Sequence, residues 1–536
     1  AALLSLYSLK SSAGARREAG RILLTVMLWL GSVMAWYFLV QRQLFFSRIL
    51  LLQSTVFIAV FALTLRGCVL LLQRSLLRIG VGVRTVASFG HRTLPPVLLT
   101  TLERDRRYRL LPHVHDLLEL RRLRQQHDVD LVLQTDPNPA GDETVKIGMI
   151  GCGGRCSGAA AESLSAGPHV KLVAMYDVFE DRVQRSRKVL KDRAPEQVQV
   201  DDAHCFSDFK GYQKVIDSVD VVLIACASKF HPMYSEAAIK AGKHVFVEKP
   251  HAIDPVGCRR MQAVCDLAKE KGLSIVSGLQ SRFHAGFQET VKRIHDGAIG
   301  DIVAMQSMFL RGPYQTVARN PAYTETQYQF SNWYHFCWLS GDDVPQSLVH
   351  NMDRVAWIMK EEMPKWCFGL AGRSTSFGEV YGDMFDHHTV VYEYASGARV
   401  YALCQTRNGC YGNSSDIVMG TKGVCQLGAC KIEGENAWAF AGPHNNPYAA
   451  EQKALIDSVR EGKPINSGYH MANSTMSTVM GQLACYSGKP TNWDDVVKSN
   501  FQFGPSPDEA SFDTPPPVTP DATGNYPLPV PGVWKI

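Results

Sequence analysis

Among the fourteen cysteines of this 536-residue chain, no two stand in a CxxC pair. The tightest spacings, Cys152 to Cys156 and Cys425 to Cys430, suit neither a zinc knuckle nor a disulfide framework. Cys226, Cys404 and Cys485 sit in apolar runs and read as small buried hydrophobes, which implies a reducing compartment. Acid is scarce at one end. Residues 1–100 hold eleven Lys and Arg against one acid, Glu18; the remainder holds 45 bases and 50 acids, leaving the whole chain at +5. The basic excess is therefore local and coincides with apolar segments, while the larger part is slightly acidic. That distribution argues against nucleic acid as a partner.

The basic end carries two stretches without charge: twenty residues between Arg21 and Arg42, and seventeen between Arg48 and Arg66. A twenty-residue helix spans about 30 Å, the hydrocarbon thickness of a bilayer, and the shorter stretch can cross if its flanking arginines snorkel. The expectation is a membrane hairpin over residues 1–75, with spans at about 22–41 and 49–65. The flanking bases place both ends in the cytoplasm. A pair of buried helices in a soluble bundle is the competing reading. Residues 76–135 suggest a partial α/β unit: LLRIGVG as strand and turn, LLELRRLRQQHD as helix, VDLVLQ as a closing strand. Residues 136–144 read as a linker. Through RRYRLLPHVHDLLELRRLRQQHDVDLVL, residues 1–135 resemble the membrane and linker region of bacterial polyprenyl-phosphate sugar phosphotransferases, without their catalytic domain. The resemblance implies a bacterial inner membrane, the lipid bilayer as a partner and a cytoplasmic catalytic part.

The most informative stretch runs from Lys146 to Asp177. An apolar run ends in Gly151, Gly153 and Gly154, a small-residue helix follows, and a second apolar run stops at Asp177. A dinucleotide needs this order. Gly151 permits the tight turn, Gly153 lets backbone approach a pyrophosphate, and the helix N-terminus offers free N–H groups. Asp177 stands where a carboxylate accepts hydrogen bonds from the adenine ribose. It favours NAD over NADP, because a 2′-phosphate would be repelled and Val178 beside it supplies no cation. Cys156 occupies the third glycine position, so helix and strand are expected slightly further apart. Further apolar runs at Asp220–Ala225 and His244–Val247 alternate with helical patterns. The fold class is therefore α/β, a Rossmann-type doubly wound parallel sheet over residues 145–277.

The string ACASKFHPMYSEAAIKAGKHVFVEKPHA, the GCGGR turn, Asp177 and a later His-Asn-Met-Asp resemble the glucose–fructose oxidoreductase / inositol dehydrogenase family, Gfo/Idh/MocA, over about residues 145–500. The resemblance implies an NAD-dependent oxidoreductase moving a hydride between a sugar or polyol hydroxyl carbon and nicotinamide. It implies cofactor contacts from Gly151, Gly153, Gly154, Arg155, Asp177, Ala225, Ser228, His231, Glu248, Lys249, Pro250 and Arg282, with Pro250 after a cis bond. Lys249, His350 and Asp353 become the catalytic residues, and Lys249, Trp333, Gln346 and His350 the substrate contacts. Lysine beside a cationic nicotinamide loses proton affinity, and imidazole titrates near neutrality. Many relatives carry Asp where this chain has Gln346. Two other readings share the pattern: a glycosidase using transient oxidation of the sugar ring by NAD, and a non-catalytic membrane-tethered NAD-binding protein, for which Gln346 is the best support.

From about Asp301 the pattern alternates (DIVAMQSMF, TVVYEYASGARVYALCQT, DIVMGTKGVCQLG, CKIEG). This predicts an α+β domain over 278–504 with a largely antiparallel sheet, whose outer face the resemblance assigns to homo-oligomer contacts. AAEQKALIDSVREGKPI and STMSTVMGQLACYSG read as closing helices. His387 and His388 are adjacent on a strand and point to opposite faces, so they cannot share an ion; no metal is expected. Residues 505–536 form a proline-rich arm, expected to dock through Trp534 and its flanking valines.

Overall fold

The computed structural model describes residues 144–535 throughout and, before them, 83–89, 108–114, 131–134 and isolated positions. The chain divides into two units, residues 1–139 and 140–536. In the first, β1 (Arg84–Phe89) pairs in parallel with β2 (Tyr108–Leu110) and β3 (Leu131–Gln134). β3 falls where VDLVLQ predicted a strand. β1 follows the LLRIGVG stretch, which lies outside the described residues. The expected spans at 22–41 and 49–65 lie almost wholly outside them too; among the described residues no helix is long and apolar enough to cross a membrane.

The second unit opens with the predicted parallel sheet. Its strands are β4 (Val145–Ile150), β5 (Val170–Tyr176), β6 (Cys205–Phe206), β7 (Val221–Ile224), β8 (His244–Val247) and β9 (Ile275–Ser277), in the order β6-β5-β4-β7-β8-β9. The crossovers are α1 (Gly154–Leu164), α2 (Glu180–Arg193), α3 (Gly211–Ser218), α4 (His231–Lys240) and α5 (Pro255–Glu270). All four residues of β7 are buried, as a strand covered on both faces requires. The chain runs to one side from β4 and to the other from β7, so the crevice between their carboxyl ends is the switch point where such sheets bind ligands.

The rest of this unit begins with α6 (Ala285–His295) and builds one sheet. It comprises β10 (Ile302–Arg311), β11 (Trp366–Gly372), β12 (His387–Glu393), β13 (Arg399–Thr406), β14 (Asn413–Gly420), β15 (Gly423–Gln426), β16 (Lys431–Gly434), β17 (Trp438–Ala439) and β18 (Thr491–Asn492). The order is β17-β16-β15-β14-β10-β13-β12-β11-β18. Neighbours are antiparallel except β10 with β13. Alternation decides the faces: Val400, Ala402 and Cys404 turn inward, whereas Phe368, Leu370 and Tyr401 are exposed on the outer side. α7 (Glu325–Ser331) precedes α8 (Val349–Ile358), and α9 (Pro447–Glu461) precedes α10 (Gly468–Ser487). Met352 and Val355 of α8 and Val479, Met480 and Leu483 of α10 pack on the inner face. β11 was not foreseen, because its two glycines interrupt any alternation. The arm docks through Trp534 as expected, with further anchors in place of the flanking valines. Thr326 Oγ1 donates to the Thr514 carbonyl and Gln329 Nε2 to that of Val518, both at 2.7 Å. Phe512 packs against Phe179, Phe209 and Phe330, and Trp534 against Tyr486 and Phe501. Val530 and Val533 are exposed.

Candidate active site

At the switch point Gly151 has φ +97°, and a Cβ there would stand 2.4 Å from the Ala225 carbonyl oxygen. Only glycine allows β4 to turn this close to the end of β7. A Cβ on Gly153 or Gly154 would meet nothing within 4 Å, and Gly153 caps α1 without a side-chain bond. The first N–H groups of α1 therefore open into free space, the cradle a pyrophosphate fills. Cys156 is fully buried, its Sγ 3.6 Å from the Leu223 carbonyl oxygen. The thiol fits between helix and strand where the third glycine was expected.

Asp177 ends β5 at the rim of the same pocket. Its Oδ2 accepts from the Cys152 N–H at 2.8 Å and its Oδ1 from the Phe179 N–H at 3.1 Å. These bonds fix the carboxylate, while burial raises its proton affinity. Gly151, Gly153, Gly154, Arg155, Asp177 and Ala225 all line this pocket, as the sequence implied, and so does Trp333. Tyr334, next to Trp333 and with it a candidate for stacking on a sugar ring, lines it too, and aromatic walls that sequence reading missed complete it: Phe230 just before α4, Tyr234 on α4 and Phe330 from the second domain. Trp333 and Tyr334 stack at 3.8 Å. Arg182 also reaches the pocket, but its guanidinium donates to the Ser331 carbonyl and lies over the Phe179 ring.

Glu248 and Lys249 close β8 at the same carboxyl edge, and the Lys249–Pro250 bond is cis. Buried Glu248 pairs with Arg155 and accepts from the Lys249 N–H at 3.0 Å. Gly278 leaves room for it, since a Cβ there would lie 2.7 Å from the Glu248 carboxyl carbon. Glu451 on α9 was not anticipated. It is wholly buried 3.6 Å from Arg155, and burial followed by the Glu248 charge pushes its carboxyl well up. Lys249 Nζ donates to the Gln346 carbonyl at 2.7 Å, one turn before His350. Desolvation, aided by Arg311, lowers the Lys249 ammonium to about 8.

His350 differs from the expectation. Burial first, then the charges of Lys249, Arg354 and Arg155, hold its imidazole well below the usual range. It is neutral near pH 7 and a weak base. Its Nδ1 is buried without a hydrogen-bond partner among the described residues, which leaves it available to a ligand hydroxyl.

Five expected roles move. Asp353 does not orient His350: its carboxylate takes Arg282 Nε at 2.9 and 3.1 Å and Ser474 Oγ at 3.1 Å. Arg282 is thereby spent on Asp353 and Glu361 rather than on a cofactor. The Gln346 side chain turns inward and donates to Ser228 Oγ and the Ser340 carbonyl, both at 2.8 Å, so Ser228 serves that contact. The His231 ring lies 2.7 Å from the Pro250 carbonyl and 3.2 Å from that of Cys226, tying two loops together. Ser228, His231, Gln346 and Asp353 are wholly buried and Arg282 is held by its ion pairs, and neither depth nor partner was readable from their spacing.

A glycine turn open to a helix N-terminus, a buried carboxylate ending the next strand and a buried lysine at the same sheet edge form the crevice of a dinucleotide-binding Rossmann fold. Comparison with known proteins agrees. Residues 145–278 match the GFO_IDH_MocA family model, described as an oxidoreductase family with an NAD-binding Rossmann fold. A myo-inositol 2-dehydrogenase of Thermotoga maritima is 26% identical over 339 residues, 60% of this chain and 90% of that protein. A dTDP-3,4-didehydro-2,6-dideoxy-alpha-D-glucose 3-reductase of Actinomadura kijaniata is 26% identical over 178 residues, and this chain spans about half of its length, 48%. The crystal structure of aldose–aldose oxidoreductase from Caulobacter crescentus complexed with glycerol shares the fold, at TM-score 0.51 and 18% identity over 65% of this chain and 100% of that one. Over residues 145–278 the chain is thus similar to an oxidoreductase family with an NAD-binding Rossmann fold. The family match begins at residue 145, so the resemblance seen in residues 1–135 remains a reading of the sequence alone.

Proposed function

We propose that this chain is an NAD-dependent dehydrogenase of a sugar or polyol, and that Lys249 rather than His350 takes the hydroxyl proton. NAD, when bound, supplies the hydride acceptor. The α1 N-terminus and Asp177 would hold its pyrophosphate and ribose. A lysine titrating at about 8 is poised to exchange a proton near neutral pH. Its bond to the Gln346 carbonyl aims it, and desolvation keeps part of it as free amine. Neutral His350 accepts a hydrogen bond at Nδ1 and orients the alcohol. Trp333 and Tyr334 offer a flat apolar face to a sugar ring. The observation carrying the reading is this pairing of a low-affinity lysine with an unpartnered imidazole nitrogen beside the dinucleotide cradle. In an assay with NAD and a panel of sugars and polyols, reduced nicotinamide should accumulate. Lys249→Ala should lower turnover by at least about a hundredfold, the scale of a lost acid–base group, with NAD still bound. Near-normal turnover in that variant removes Lys249 from the mechanism, and release of an aglycone without reduced cofactor replaces dehydrogenation by redox glycosidase chemistry.

Two further readings belong to the proposal. The uncharged stretches at 22–41 and 49–65 support a tether to a bacterial inner membrane with the enzyme on the cytoplasmic side, tested by fractionation of cells. Exposed Phe368, Leu370 and Tyr401 support homo-oligomer formation through the outer sheet face, tested by light scattering of the wild type and Leu370→Lys.

A further inference from the structure

Behind the Lys249 site, three ligand-type side chains from separate elements converge on a point that no step above uses. His388 on β12 and Cys404 on β13 are direct cross-strand partners and so project to the same, inner face of the sheet. Asp343 comes from the opposite direction, immediately before a π-helical turn at Val344–Leu348, a local widening that often accompanies functional positions. Each of the three is at most 2% exposed, and their ligand atoms lie within 4.8 Å of one another.

Two of the three leave a polar atom unanswered. Asp343 Oδ1 accepts from Ser347 Oγ at 2.5 Å and Arg311 Nη2 at 3.2 Å, but Oδ2 is buried with no partner. His388 Nε2 stands 3.6 Å from the Asp342 carboxylate and 3.3 Å from the Gln482 amide, whereas Nδ1 is buried with no partner. With the Gln482 amide nitrogen donating to Asp342 Oδ2 at 3.2 Å rather than to the ring, the tautomer protonated at Nε2 faces the Asp342 carboxylate and leaves Nδ1 as a lone pair, the arrangement in which outer carboxylates prepare metal-binding histidines. Asp342 itself is anchored by Tyr486 Oη at 2.7 Å and the Phe385 N–H at 3.2 Å. Buried donors and acceptors are nearly always satisfied; here one carboxylate oxygen and one imidazole nitrogen have no acceptable hydrogen bond among the described residues, and the Cys404 thiol lies beside the same Asp343 carboxylate.

We propose that Asp343, His388 and Cys404 form a binding site for a divalent cation of the zinc class. The ligand chemistry selects it. A thiolate disfavours magnesium and calcium, and a mixed sulfur–nitrogen–oxygen set suits zinc. Ligands around a tetrahedral zinc stand about 3.5 Å apart, from bond lengths of about 2.0–2.3 Å, so contraction by roughly 1 Å closes the set. On binding, the Cys404 thiol loses its proton to solvent and the sulfur's lone pair forms the bond, with no change of oxidation state. The ion's two charges are then offset by thiolate and Asp343, whose Oδ1 also pairs with Arg311 at 3.2 Å. Strand alternation sets His387 and His388 on opposite faces; the sequence had no means of seeing one of them matched with residues from two other elements.

The test is metal analysis of the purified full-length chain after incubation with zinc and removal of the excess. About one zinc per chain is expected, as for a closed site. It should be lost in Cys404→Ser and His388→Gln and retained in Cys430→Ser, which alters the other cluster of possible ligands, His284, Cys430 and His444. Because Cys404 is a core residue, a second measurement avoids the folding question: cobalt-loaded wild type should show a thiolate-to-metal absorption band, present in Cys430→Ser and absent in Cys404→Ser. Zinc below about one in ten chains overturns the site, the thiol then simply donating to the carboxylate. Zinc or the cobalt band lost in Cys430→Ser but kept in Cys404→Ser also overturns it.

Discussion

Lys249 carries the pH dependence. With its ammonium lowered to about 8, oxidation of the alcohol needs the free amine, so kcat/KM should rise as pH increases through about 8 and level off above it. The reverse reduction needs the ammonium and should fall over the same interval. A profile flat between pH 7 and about 9 would remove lysine as the titrating group. The same shift has a stability sign. The unfolded chain keeps the proton up to 10.5, the ordinary value, while the folded chain gives it up near 8. Burying this charge therefore weakens the fold below about pH 8, and that burden is relieved as pH rises toward 10.5. Asp177 is the other decisive residue. Asp177→Ala should weaken NAD, narrow the preference over NADP, and cost about 1–3 kcal/mol because the Cys152 and Phe179 N–H groups lose their acceptor. Unchanged affinities for both cofactors in a titration would displace the ribose from this carboxylate. Asp177 could be picked out from the sequence because a glycine turn and the strand end after it form a local pattern, whereas Lys249 came from the family resemblance of the EKP string. The proton affinity of His350 could not, since it depends on Lys249, Arg354 and Arg155 arriving from elsewhere.

At the scale of elements, α8 shows how spacing misleads. His350 and Asp353 are three apart, hence neighbours on a helix surface, yet Asp353 turns to Arg282 from the loop after β9 and to Ser474 on α10. It joins three elements. Asp353→Asn should therefore lower stability by roughly 3 kcal/mol, the scale of breaking a buried ion pair, while kcat of the folded protein stays within about threefold of wild type. Chemical denaturation and kinetics on the same preparation separate the two; a collapse of kcat at unchanged stability would restore the catalytic role. The strands of the second sheet were legible where side chains alternate, as in β12 and β13. β11 was not, because glycine carries no alternation.

On the scale of the whole molecule, the arm after residue 504 completes the first domain's aromatic cluster. Phe512 packs on Phe179, two residues beyond Asp177, and Tyr526 Oη donates to Glu325. A chain ending at residue 504 should melt at a lower temperature and bind NAD more weakly than the complete one, with scanning calorimetry and cofactor titration as the measures. Equal values would make the arm an ornament of the surface. Periodicity and glycine placement determined by themselves that a parallel sheet would cradle a dinucleotide and that an antiparallel sheet would follow, because those signals are written in consecutive residues. Only the tertiary structure decided which charged groups face the ligand and which are consumed by one another. Arg282, Asp353, Gln346 and Ser228 were drawn inward by partners distant in the chain, and burial of a polar group is settled by what packs over it, which no local pattern records.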